Sequence, residues 1–111
     1  MPEAAGCVPE RHTGPLQGWR ILEIADGPAA SFCGKILSDL GAEVVMIEAP
    51  GGHPLRQAEP RRANGVSGRF LYLSTGKRSV VAEKPSGELI GASDLIITDD
   101  PGLAMKIVYG E

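Results

Sequence analysis

Hydrophobic positions change rhythm several times along this chain, and each change marks an element. Residues 20–25 form a short, nearly continuous apolar run stopped by Asp26-Gly27-Pro28, the pattern of a buried strand entering a tight turn. From 29 to 40 the residues Ala29, Phe32, Cys33, Ile36, Leu37 and Leu40 recur at steps of three and four, which predicts an amphipathic helix with that stripe facing the core. Gly41 follows where a left-handed C-cap is wanted. Residues 43–48 read as a second strand, broken by Ala49-Pro50-Gly51-Gly52. A third strand is predicted at 78–83, a very short helix at 87–92, a fourth strand at 94–98 and a further helix over 103–109. Residues 51–68 read as one long irregular loop, a length that in compact domains marks function or disorder.

Strand, helix and strand within about 30 residues make a βαβ unit with parallel strands and a right-handed crossover. The fold class is therefore α/β with a parallel sheet. Residues 1–15, carrying Pro2, Gly6, Pro9, Gly14 and Pro15 without periodicity, read as a disordered leader, and 16–111 as one domain or part of one. Such a sheet with only one full helix leaves a face uncovered, which predicts self-association or pairing with a longer remainder of the chain.

Composition narrows the class. The 111 residues include 15 glycines and 9 prolines, which suits short elements joined by tight turns better than a helical bundle. No window approaches the roughly 18 apolar residues of a membrane span, and the first residues lack the apolar core of a signal peptide, so no membrane partner and a cytoplasmic location are expected. Cys7 and Cys33 lie in unlike contexts with no metal-ligand spacing around them; no metal is expected, and Cys33 reads as a small buried hydrophobe. His12 and His53 read as exposed loop residues, and Phe70 and Tyr72 as core anchors beneath a loop.

The net charge of −3 conceals an asymmetry. Residues 53–78 carry six basic side chains (Arg56, Arg61, Arg62, Arg69, Lys77, Arg78) against Glu59 alone, while the rest of the chain carries five basic and thirteen acidic residues. A local basic stretch in an acidic chain suits a small anion such as a phosphate, not a nucleic-acid face; a solvated loop explains the charge equally well. The first βα turn offers backbone N–H groups at a helix start, where anions are favoured, although Asp26 there also reads as a helix-capping acid. Glu48 lies 21 positions after Gly27 at a strand end, the placement of a ribose-binding acid in dinucleotide folds, without the GxGxxG glycines.

Three stretches taken together carry a more specific signal: LQGWRILEIA at 16–25, ILSDLGAEVVMIEAPGG at 36–52 and GKRSV at 76–80. In this order and spacing they resemble the N-terminal region of the family III CoA-transferases, the CaiB/BaiF group that includes alpha-methylacyl-CoA racemase and formyl-CoA transferase, over residues 16–100. The resemblance implies an incomplete Rossmann-like domain that binds coenzyme A (CoA) or acyl-CoA, within a dimer. It also implies CoA contacts at Asp26, Gly27, Pro28 and Ala29 in the first turn, at Ala49 and Arg56 after the second strand, and at Asp99 after the fourth, with Lys77 and Arg78 of the KRS block beside the cleft. The several negative charges of CoA give the basic stretch a purpose.

Departures accompany the match. Ala30-Ser31 replaces a Gly-Pro pair common in the family, His53 stands where Asp is usual, Thr75-Gly76 precedes the KRS block in place of an Asn, and residues 84–93 are too few for the longer helix the family carries there. The family's aspartate nucleophile, which is acylated and then carries CoA as a thioester, lies downstream of the matched segment, and none of Asp26, Asp39, Asp94, Asp99 or Asp100 corresponds to it. Three functions follow as readings: the CoA-binding front of a transferase or racemase, inactive by itself; a degenerate, non-catalytic CoA-binding or interaction module; and a dinucleotide-binding fragment of an oxidoreductase.

Overall fold

A computed structural model describes residues 13–110 of the chain. Most of the expected leader, His12 and Cys7 therefore lie outside the described residues. The elements are β1 (Arg20–Ile24), α1 (Pro28–Asp39), β2 (Glu43–Glu48), a 3-10 turn (Pro54–Gln57), α2 (Gly68–Ser74), β3 (Arg78–Val81), α3 (Gly87–Ala92), β4 (Leu95–Thr98) and α4 (Pro101–Tyr109). The four strands form one parallel sheet in the order β3-β2-β1-β4. This is the expected α/β fold. Two elements are new: the 3-10 turn lies inside the stretch 51–68 read as one irregular loop, and α2 occupies residues that the apolar pattern leaves unassigned, starting on Ser67, whose hydroxyl accepts from the Phe70 N–H.

Right-handed crossovers put α1 and α2 on one face of the sheet and α3 on the other. Under the first face lie two apolar clusters, Ile21, Ala42 and Val44 with Leu16, Leu37 and Ile97, and Met46, Leu55, Phe70 and Leu73. Gly41 adopts φ +105° after α1, and a side chain there would press within 2.9 Å of the Thr13 and Gly14 backbone that crosses the turn. The glycine thus serves both the left-handed cap and the close crossing.

Helix α1 docks by a different stripe from the one its periodicity predicts. Ser31, Gly34 and Ser38 are its buried residues, while Phe32, Ile36, Leu40 and Cys33 are exposed. The cause lies beneath the helix. Glu23 points from β1 into this face and pairs with Lys77 at 2.7 Å, both side chains sealed from solvent. Lys77 also donates to the Ser31 carbonyl (2.9 Å) and Ser31 Oγ donates to Glu23 (3.3 Å). A buried ion pair demands such company, and only a stripe of small residues lets the helix approach it. Two further corrections concern single residues. His53 is buried, its Nδ1 accepting from the Leu55 N–H, and of the two expected anchors Phe70 is buried whereas Tyr72 is exposed beneath the Lys35 ammonium.

Candidate functional site

Parallel α/β sheets bind ligands beyond the carboxyl ends of their strands. At that edge the turn after β1 meets the turn after β4. The N–H groups of Asp26 and Gly27 donate to Asp99 Oδ2 at 3.3 and 2.9 Å, so three of the sequence-derived residues are joined directly. Gly27 is the N-cap of α1 and Pro28 its first residue, and no side chain caps the helix, so Asp26 does not act as its capping acid; Asp99 instead ties down the two residues that lead into it. Asp26, Pro28, Ala29 and Ala49 are exposed along the same edge.

Glu48, at the end of β2, is almost fully buried and saturated with donors. Arg56 grips it with Nε and Nη2 at 2.7 and 2.8 Å, the His53 N–H adds 2.8 Å, and the Ser79 hydroxyl donates to its other oxygen. The Arg56 guanidinium, helped by Ser79 and the His53 amide, holds the Glu48 carboxyl down at about 2. The arginine also lies 4.3 Å above the Phe70 ring. This network fastens the 3-10 turn to the sheet, and the guanidinium is largely committed to it.

The KRS block lies apart from that edge. Lys77 is committed to Glu23 inside the core, where burial pushes the Glu23 carboxyl up and the ammonium holds it back. Arg78 sits at the amino end of β3, 3.5 Å from Glu43 at the amino end of β2. The exposed loop arginine Arg61 caps the Gln57 carbonyl.

What the sequence reading missed is a cleft of about 660 Å³ between α3 and α4 at the carboxyl edge. Ile24, Ile90, Leu103 and Ile107 give it apolar walls, and two basic residues, Lys84 and Lys106, and two acidic ones, Glu83 and Asp100, complete the lining. Asp100 is also the cap of α4, accepting from the Gly102 and Leu103 N–H groups. Apolar walls with a few charged groups are what a nucleotide-bearing ligand requires. The i, i+3, i+4 spacing of Leu103, Lys106 and Ile107 carried the signal. Among the described residues no helix is long and apolar enough to cross a membrane, and no group of three or more His, Cys, Asp or Glu side chains could hold a metal.

Comparison with known proteins decides the family, because the sequence profile of CoA-transferase family III matches residues 16–88, more than half of the chain. The chain belongs to CoA-transferase family III. It is 40% identical over 72 residues to a probable fatty acyl-CoA transferase of Mycobacterium tuberculosis, covering 62% of this chain and 18% of that protein. It is 34% identical over 84 residues to the succinyl-CoA–D-citramalate CoA-transferase of Chloroflexus aurantiacus, covering 73% and 21%. Among solved structures, a CaiB/BaiF family protein from Brucella suis superposes with a TM-score of 0.70 at 29% identity, over 87% of this chain and 28% of that one. The chain thus spans about a fifth of the length of these curated relatives.

Proposed function

We propose that this chain is the N-terminal CoA-binding portion of a family III CoA-transferase or acyl-CoA racemase, with CoA or acyl-CoA held in the cleft between α3 and α4. The observation that carries the reading is the juxtaposition, at the carboxyl edge of a family III fold, of the Asp99-tied first turn with an apolar-walled cleft whose charged lining is Lys84 and Lys106 together with Glu83 and Asp100. Each lysine is a flexible point charge suited to a phosphate, and the apolar walls suit the adenine face or the pantetheine arm. Asp26, Gly27, Pro28, Ala29, Ala49 and Asp99 form the rim, while Arg56 and Lys77 hold the scaffold behind it and Arg78 lies on the far edge.

The nucleophile belongs to residues beyond these. Asp39 is paired with Lys35, Asp94 accepts from the Arg20 N–H, Asp99 from the first turn and Asp100 from α4, and a carboxylate so engaged is a poor covalent catalyst; Asp26 stands exposed on the rim, and only the family resemblance sets it aside. Transfer or racemisation then needs a longer chain or a partner subunit, in a cytoplasmic, dimeric enzyme. Glu48, whose oxygens are filled by Arg56, Ser79 and His53, has no capacity left for a ribose hydroxyl, which favours CoA over a dinucleotide. The six-residue α3, with no buried side chain, favours as a second reading a non-catalytic CoA-binding module.

Calorimetric titration with CoA, 3′-dephospho-CoA and NADH tests the proposal. Tightest binding of CoA is expected; a preference for NADH would overturn it, and heat from none of the three would leave an interaction module.

A further inference from the structure

His53 caps the 3-10 turn, a post that Ser, Thr, Asp or Asn usually fills. Its Nδ1 accepts from the Leu55 N–H at 3.1 Å, which holds the ring as the neutral tautomer with its proton on Nε2. The side chain is 3% exposed. Its main chain is tied to Glu48 at the end of β2, and Phe70 of α2 lies against the ring at 5.9 Å, tilted by 45°. This chain supplies those walls itself, so another segment or subunit reaches the imidazole only by displacing them. The charges around the ring are already balanced. Arg56, on the turn, is spent on Glu48 and covers the Phe70 ring. Glu23 of β1 lies near enough to act on the ring through its charge and is paired with Lys77; Arg69 of α2 is exposed. Nε2, also buried, meets no acceptor among the described residues. Protonating the ring turns Nδ1 from an acceptor into a donor that faces the Leu55 N–H, and adds a buried positive charge that neither acid is free to pair.

We infer that His53 is a pH-sensitive latch: neutral, it fastens the 3-10 turn through the Leu55 N–H; charged, it releases the turn that carries Leu55 into the core and Arg56 onto Glu48. Because the closed turn accepts only the neutral ring, the latch holds above the range in which histidines titrate and opens as pH falls through it. Glu48 acts in a lower range, since its carboxyl stays ionised down to about 2. The latch does not depend on what the cleft between α3 and α4 binds.

Hydrogen–deuterium exchange of the full-length protein at about pH 7.5 and about pH 5.5, on either side of the histidine range, tests this over residues 54–58. His53→Asn is the reference, because it keeps an acceptor on the same post and does not titrate; comparing the two proteins at each pH cancels intrinsic exchange. Wild type is expected to match His53→Asn at the higher pH and to exchange about fivefold faster at the lower one, with α1 alike in both. His53→Ala, which has no acceptor, is expected to exchange faster than His53→Asn at both. Wild type and His53→Asn keeping one ratio at the two pH values, or a loss of protection spread equally over α1, would overturn the inference. The nitrogen NMR spectrum of the wild-type imidazole needs no variant: a proton on Nε2 alone is expected at the higher pH, and one on Nδ1 would also overturn it.

Discussion

The side chain that Gly34 lacks would place its Cβ 2.0 Å from Glu23 Oε1 and 3.2 Å from Lys77 Cε. Helix α1 can lie on the sheet only because this position is empty. The carboxylate cannot retreat, since Lys77 and Ser31 hold it. Alanine favours an isolated helix over glycine by about 1 kcal/mol, so propensity alone makes Gly34→Ala stabilising. The opposite is expected here: overpacking against the pinned pair should cost about 1–3 kcal/mol, read as a lower midpoint in urea unfolding.

The ion pair beneath the helix supports a second prediction. Lys77→Met strands Glu23 as an unpaired buried charge and is expected to destabilise by about 3–5 kcal/mol. Adding Glu23→Gln should recover most of that loss. Equal destabilisation in the single and double variants, measured by chemical unfolding, would show that the pair does not act as a unit.

A third concerns pH. Glu48 titrates from an ordinary value of 4.5 down to about 2 in the folded chain, so the folded state prefers the ionised carboxylate. Its contribution is fully present above the unfolded value and is lost as pH falls through the folded one. Unfolding free energy should therefore decline between about pH 5 and 2, and Glu48→Gln should flatten that decline. Because Arg56 is half exposed and screened by solvent, the effect is about 1–2 kcal/mol, less than the full shift implies.

Binding supplies a fourth. Lys106→Ala is expected to weaken CoA by about 1–3 kcal/mol through a lost charge-assisted contact, and the loss should shrink as salt is raised. Arg78→Ala, on the far edge of the sheet, should leave CoA affinity within about twofold. A reversed order in the two variants would restore the KRS block to the binding edge.

The strand ladder was legible because β1, β2 and β4 are short apolar runs bounded by Asp26-Gly27-Pro28, Ala49-Pro50 and Asp99-Asp100-Pro101, where glycine and proline leave few alternatives. The face of α1 was not, because hydrophobicity marks the stripe Phe32, Ile36 and Leu40 while docking was decided by the buried Glu23 and by the size of Ser31, Gly34 and Ser38. Likewise α2 hid in an apolar stretch too short for two turns of periodicity, although Ser67 three residues before Phe70 has the spacing of a cap. Asp26, Gly27 and Asp99 were found by resemblance and are joined in space. The cleft that Lys84 and Lys106 line was not legible, because it exists only where α3 and α4 converge, a relation between residues more than twenty positions apart.

The most direct measurement is a crystal structure of the full-length protein with CoA. The CoA reading requires the nucleotide between α3 and α4, with phosphate oxygens within reach of Lys84 or Lys106 and the ligand passing the turn at Gly27. CoA bound elsewhere, with the cleft left to solvent or filled by another part of the chain, would contradict it.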